Sequence, residues 1–287
     1  MSIVVTGATG GLGNAVIQHL LKKVPASEII ASVRNVDKAS DLANQGVEVR
    51  YGDYHDFESM KKSFEGAEKV LFISSPDADD TDRIGQHATV AKAARDAGVK
   101  HIAYTGFAFG EESNLPLALV HMATEYAIRS TNIPYTFLRN SLYTDVFVNP
   151  GLAGAVQSGE LVTNAGIGTI NAVLRDDLAK AAATVLAEEG HENKSYNLVN
   201  PQPWSFDDLA HALTEVSGKE VKHRSVSFEE AKDYLVNIGL PAPIAELSAF
   251  IYDGVAKGET SKSSQDLYNL IGTPTSLKDA VKAALQG

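Results

Sequence analysis

Ser2-Ile3-Val4-Val5-Thr6-Gly7-Ala8-Thr9-Gly10-Gly11-Leu12-Gly13 sets a short β-branched run directly against closely spaced glycines. The stretch reads as strand, phosphate-binding loop and helix start. Gly7 lets the chain leave the strand in a tight turn, Gly10 removes a side chain where a pyrophosphate would press on the backbone, and Gly13 lets the helix pack closely on the sheet. The helix, expected over residues 14–23, aims its free N–H groups and the positive end of its dipole at that anion. A tight βα turn of any α/β protein is the plain alternative. Position decides for nucleotide binding, because the pattern follows the first strand and a second strand, residues 28–33, comes where a βαβ unit of about 30 residues requires it.

Working outward, strand-like runs at residues 3–6, 29–33, 48–51, 69–73, 101–105 and 135–139 alternate with helical patterns. That order predicts a parallel sheet with right-handed crossovers. Asp56 is placed to cap a helix over 57–64 that Gly66 ends, and a helix over 88–97 closes on Gly98. After the sixth strand, Pro150, Gly151, Gly154, Gly159, Gly166 and Gly168 break the chain into shorter units. A helix over 175–189, a strand over 195–199, a Ser205-capped helix over 206–216 and a strand over 220–226 follow. The expected fold is α/β, a Rossmann-like doubly wound parallel sheet with a smaller C-terminal α/β lobe. Residues 1–150 form the dinucleotide-binding part, 170–200 return to it, and 151–287 mainly build the smaller lobe over the carboxyl ends of the sheet.

Composition narrows the chemistry. A net charge of -11 over 287 residues argues against a nucleic-acid partner, which needs a basic stripe. With no cysteine, thiolate nucleophiles, disulfides and sulfur-ligated metals are excluded as intrinsic chemistry. The eight histidines show no metal-ligand spacing and no Gly-x-Ser-x-Gly elbow occurs. The start runs directly into a strand and no apolar run is long enough for a membrane span, so a cytoplasmic location is expected.

The second strand ends Ser32-Val33-Arg34-Asn35, where an acidic residue would bind the ribose 2′-hydroxyl of NAD. Arg34 stands there instead. A guanidinium can fork onto a 2′-phosphate, and Lys38 one turn on adds a second positive charge, so NADPH is favoured over NADH. The alternative is a surface ion pair of Arg34 with Asp37 or Asp41. Asp53, after the third strand, either accepts from an adenine amino group or caps a turn. Ser74, Ser75 and Pro76 after the fourth strand, and Thr105 in the fifth, lie at carboxyl ends where ligands of open α/β sheets bind. Capping of the following helices is their structural alternative.

His121 and Glu125 stand four residues apart on one face of a helix, so Glu125 could orient the imidazole. The Tyr-x-x-x-Lys pair of an alcohol dehydrogenase is missing here, since Tyr126 is followed at the fourth place by Ser130. Chemistry that needs a tuned general base is thereby disfavoured. At the end of the sixth strand Asn140 offers a donor and an acceptor suited to a carboxamide, and Tyr143 offers a flat ring to stack on a substrate or to pack in a core. Arg175 either faces the cofactor or binds Asp176 and Asp177 at the start of its own helix.

Taken together, residues 6–13, Ser32-Val33-Arg34-Asn35, Ile102-Ala103-Tyr104-Thr105, His121-x-x-x-Glu125 and Tyr135-Thr136-Phe137-Leu138-Arg139-Asn140 resemble the NmrA-like branch of atypical short-chain dehydrogenases. Within it the type 2 NADPH:quinone oxidoreductases are most similar. The likeness runs along nearly the whole chain, through Ser217-Gly218-Lys219 to Leu270-Ile271-Gly272. It implies NADPH held by Gly7, Ala8, Thr9, Gly10, Gly11, Leu12 and Gly13, by Arg34, by Ser74, Ser75 and Pro76, by Leu138, Arg139, Asn140, Ser141, Leu142 and Tyr143, and by Arg175. It also implies a quinone in the cleft between the lobes, with Asn140, Tyr143 and His121 as catalytic candidates. Phe107 and Ser141-Leu142 depart from the family's usual residues. The mechanism expected is hydride transfer to a quinone by positioning, with the proton arriving late from water. The alternative is a dinucleotide-reading redox sensor of the NmrA type that regulates a partner without turnover. A reductase of enones is disfavoured by Glu125, where a lysine would be expected. A homodimer is the expected assembly.

Overall fold

The computed structural model describes residues 2–113, 115 and 117–286. Among them the strands are β1 Ile3–Thr6, β2 Ile29–Val33, β3 Glu48–Tyr51, β4 Lys69–Phe72, β5 His101–Phe107, β6 Tyr135–Asn140, β7 Glu160–Thr163, β8 Thr169–Ile170, β9 Lys194–Leu198, β10 Trp204–Ser205 and β11 Lys222–Ser225. The chain divides into two compact units. The first comprises Met1–Asn140, Arg175–Leu198 and Asp266–Gly272, and the second Ser141–Leu174, Val199–Gln265 and Thr273–Gly287. The first unit's opening segment thus ends ten residues before the break expected at 150, because β6 leaves the sheet at Asn140 while the breakers Pro150 and Gly151 fall later.

Unit 1 is built on a seven-stranded parallel sheet in the order β3-β2-β1-β4-β5-β6-β9. This is the doubly wound arrangement that the alternation of strands and helices predicts, with its reversal of strand order between β1 and β4. Every residue of β1 and β2 is buried, as central parallel strands covered on both faces require. One face packs Val4, Ile30, Val70, Ile102 and Phe137 against Met60, Phe64, Val90 and Ile128 from the crossover helices. Burying each large apolar side chain contributes about 1.5–3 kcal/mol, so this layer fixes where the strand ends lie.

Several helix limits differ from the sequence expectation. The first helix is Gly11–Leu20, not 14–23, because its N-cap is Gly10, which offers no side chain to mark the start. The helix expected at 88–97 is Asp80–Asp96, started by Asp79, whose carboxylate accepts from the N–H groups of Thr81 and Asp82. The Asp56 and Ser205 caps form as expected, the second as a capping box completed by Asp208.

Unit 2 holds two small strand pairs, parallel β11-β7 and antiparallel β10-β8. Its core gathers Phe147, Trp204, Phe206, Leu209 and Leu213, with Phe206 edge-on to Tyr252 at 5.0 Å. Helices Phe228–Asn237, Ala242–Ala256 and Leu277–Gln286 complete it. No helix among the described residues is long and apolar enough to cross a membrane.

Candidate active site

The turn after β1 is shaped by backbone alone. Gly7 adopts φ +59°, the left-handed region, and its carbonyl accepts from the N–H of Gly10 at 2.9 Å. A side chain on Gly13 would collide with that same carbonyl and stand 2.9 Å from Cα of Ala8. Glycine at 13 therefore lets helix Gly11–Leu20 close on the turn. Gly7, Thr9, Gly10 and Gly11 are exposed, while Ala8, Leu12 and Gly13 are buried beneath them. The helix has no side-chain cap and no acidic residue in its first turn, so its N–H groups face outward unopposed. Arg175, first residue of helix Arg175–Ala187, runs past this opening, with its Cδ 3.8 Å from where a side chain on Gly11 would begin. Its neighbour Asp176 pairs with His19 at 2.8 Å.

At the end of β2, Arg34 and Lys38 are exposed. Neither makes an ion pair with any described residue, so the pairing of Arg34 with Asp37 or Asp41 does not occur. Asp37 instead donates its N–H to the side chain of Asn35, which caps the turn. Asp53 takes the turn-capping alternative: its Oδ1 accepts from the N–H of His55 at 3.0 Å.

Beyond β4 the chain leaves the sheet, and three successive backbone N–H groups lose their strand partners. Three side chains replace them. The N–H of Ile73 donates to Oγ1 of Thr6 at 2.9 Å, that of Ser74 to Oγ1 of Thr105 at 3.0 Å, and that of Ser75 to Nε2 of His87 at 2.9 Å. Buried N–H groups left unpaired would cost about 1–3 kcal/mol each, so these contacts hold the loop in place. The hydroxyl of Thr105 is thereby committed to the loop, as is that of Ser75, which accepts from the N–H of Asp77. Ser74 is half-buried and Pro76 exposed.

His87 and His121 form a buried polar ring with Arg83, Tyr104 and Thr124. Nε2 of His87 is an acceptor, so its proton sits on Nδ1 and is donated to Oγ1 of Thr124 at 2.7 Å. Nη2 of Arg83 donates to Oγ of Ser74 at 2.7 Å and approaches Nε2 of His121 at 3.4 Å. Nδ1 of His121 lies 2.8 Å from the hydroxyl of Tyr104. Burial first, and the Arg83 charge second, push both imidazoles down to about 3. Burial raises the Tyr104 hydroxyl far above its usual value. All three are neutral at pH 7.

The expected pairing of Glu125 with His121 does not form. Both oxygens of Glu125 instead accept from Arg139, at 2.8 and 2.7 Å, and Arg139 also reaches Glu111 at 2.9 Å. The guanidinium from β6 offers a planar fork that fits a carboxylate better than an imidazole does. This fork commits the side chain of Arg139, expected at the cofactor, to the two glutamates. Leu138 is fully buried in the sheet. Asn140 is different: its side-chain amide has no partner among the described residues, while its carbonyl accepts from the N–H of Ala108. In unit 2, Oγ of Ser141 donates to the carbonyl of Leu142, Leu142 packs against the apolar core, and half-buried Tyr143 bridges to Val173.

Arg83 and His87 were not singled out by sequence reasoning. Their partners Ser74 and Ser75 are 9 and 12 residues away, and the closing members His121 and Thr124 are 38 and 37 away, so no local spacing marks the ring.

The sequence profile of the NmrA-like family matches residues 1–277. Quinone oxidoreductase 2 of Escherichia coli K12 is 42% identical over 273 residues, which are 95% of this chain and 94% of that protein. Among solved structures, triphenylmethane reductase of Citrobacter sp. complexed with NADP(H) is 68% identical with a TM-score of 0.97, covering 99% of this chain and 100% of that one. The NADPH complex of the NADPH-dependent quinone oxidoreductase of E. coli superposes with a TM-score of 0.91 at 41% identity, over 98% and 99% of the two chains.

Proposed function

The chain belongs to the NmrA-like family, and on that footing we propose that it is an NADPH-dependent reductase that delivers a hydride to quinones. The observation that carries the cofactor reading is an open glycine turn with an unpaired arginine at the end of the neighbouring strand. The residues fit the group: Gly10 and Gly11 carry no side chain at the exposed start of the helix, and that helix has no side-chain cap. When bound, NADPH supplies the hydride. The N–H groups of Gly11 and Leu12, the first of the helix, bind the pyrophosphate, with Arg175 alongside. Arg34 forks onto the 2′-phosphate and Lys38 adds charge.

Ser74 and Pro76 present the loop after β4 to the nicotinamide half. The free amide of Asn140 is suited to hold a carboxamide or a substrate oxygen. His121 is neutral and turned to Tyr104 and Arg83, so it positions its neighbours and does not donate a proton. The absence of a Tyr-x-x-x-Lys pair suits an acceptor that gains only delocalised charge, for which orientation lowers most of the barrier.

A second acceptor class is favoured by one observation. The Citrobacter protein, 67% identical over the full length of both chains, is a triphenylmethane reductase connected with triphenylmethane dyes. Such a dye, like a quinone, is a conjugated hydride acceptor. The experiment is to mix the protein with NADPH and either a simple benzoquinone or a triphenylmethane dye while following the absorbance of the reduced cofactor. Oxidation with benzoquinone supports the reading. A flat trace with benzoquinone alone moves the assignment to dyes, and flat traces with both, despite tight NADPH binding, leave the dinucleotide sensor.

A further inference from the structure

We propose that Arg83 holds the negative charge that a quinone oxygen acquires on reduction, with Ser74 and His121 aiming its guanidinium; this rests on the quinone reading above. Arg83 sits in the first turn of helix Asp80–Asp96 and is only 9% exposed. No carboxylate pairs with it among the described residues, although the comparably buried cation Arg139 has two. A buried charge without a counter-ion is destabilising. A fold tolerates that cost where an anion arrives during function.

The geometry of the guanidinium agrees. Its two protein contacts, Oγ of Ser74 and Nε2 of His121, are neutral acceptors that fix its plane without cancelling its charge. Nε is buried with no partner, and Nη1 has none either among the described residues. The group lies against Ser74, two residues past the carboxyl end of β4, the end of the strands at which open α/β sheets bind ligands. Half-exposed Phe107 stacks on His121 at 6.2 Å and gives the same corner an apolar side.

The charge balance explains why such a residue serves one acceptor and not the other. A quinone takes up the hydride with both electrons of the nicotinamide C4–H bond that breaks: an O–H bond forms at one oxygen, both carbonyl π bonds rearrange as the ring becomes aromatic, and the second oxygen keeps the electron pair as a phenolate. NADPH is oxidised to NADP⁺, and water later protonates the phenolate. A triphenylmethyl cation takes up the same hydride at its central carbon and becomes neutral. Arg83 therefore favours the first reaction and opposes binding of the second acceptor.

The test uses NADP⁺-loaded protein and 4-nitrophenol, whose phenolate is coloured and mimics the reduced oxygen. The bound phenol should ionise about 1–2 pH units lower than the free one, and Arg83→Met should remove that shift while Arg83→Lys retains most of it. In turnover, Arg83→Met should lower the ratio of quinone to dye reduction about 10²-fold. Taking the ratio cancels any shared loss of folding or cofactor binding. An unshifted phenol in the unsubstituted protein, or an equal fall in both activities, overturns the proposal. Failure of the unsubstituted protein to reduce any quinone overturns the substrate reading instead, and the phenol titration still decides the role of Arg83.

Discussion

Arg139 sets its Nε 2.8 Å from Oε1 of Glu125 and its Nη2 2.7 Å from Oε2, a two-point fork in which Glu125 is 3% exposed. The fork joins β6 to helix Leu117–Ser130 just below the carboxyl ends of the strands. Removing one partner of a buried pair leaves the other uncompensated, at a cost of about 3–5 kcal/mol. Glu111 remains to share the Arg139 charge, so Glu125→Ala should destabilise by about 3 kcal/mol, the lower end. Urea unfolding followed by circular dichroism measures it. A midpoint unchanged from the parent protein would mean that the fork carries no weight.

His121→Ala should reduce kcat for quinone reduction by less than tenfold. The imidazole is held near 3 by burial and by Arg83, so at neutral pH it is not the imidazolium that a general acid requires. General acid catalysis contributes about 10²–10⁴-fold where it operates. A loss of 10³-fold, or a kcat profile with a limb near pH 6.5 that the substitution abolishes, would assign His121 the proton.

Stability should fall on mild acidification. His87 and His121 have folded-state values depressed to about 3, while an unfolded histidine titrates near 6.5. Between those limits the unfolded chain binds more protons than the native one, so stability is fully present above about pH 6.5 and declines as pH falls toward 3. Each group contributes a slope of about 1.4 kcal/mol per pH unit in that window. Urea midpoints at pH 7, 6 and 5 should decrease steadily, and His87→Gln should flatten the decline. A midpoint constant from pH 7 to 5 contradicts the buried, neutral assignment.

What could be read from the sequence was whatever local spacing encodes. The turn of Gly7 to Gly13, the Asp56 cap and the Ser205 cap each act within a few residues, and each forms where its spacing places it. The parallel sheet followed from the alternation of apolar runs with helices. The limits of helix Gly11–Leu20 were not legible because a glycine N-cap leaves no polar signature. The start of helix Asp80–Asp96 was missed because its acidic first turn resembles a loop. The Ser227 and Glu230 capping box before helix Phe228–Asn237 was a usable local signal that went unread.

The site divides along the same line. Spacing placed Arg34 and Lys38 at the end of β2 and Asn140 at the end of β6. It also put His121 and Glu125 on one helix, yet their partners were chosen by tertiary structure. Arg139 captured the glutamate from another strand, and Tyr104 with Arg83 captured the histidine. Thr105 and Ser75 are of the residue types expected at a ligand, but the orphaned N–H of Ser74 claimed the first hydroxyl and the N–H of Asp77 the second.

The central claim is that the glycine turn and Arg34 hold a phosphorylated dinucleotide. Calorimetric titration of the protein and of Arg34→Ala with NADPH and with NADH tests it most directly. A charge-assisted contact to the 2′-phosphate is worth about 1.5–3 kcal/mol, so NADPH should bind about 10- to 100-fold more tightly than NADH, and Arg34→Ala should erase most of that difference. Equal affinities for the two coenzymes, with Arg34→Ala indistinguishable from the parent protein, would contradict the account.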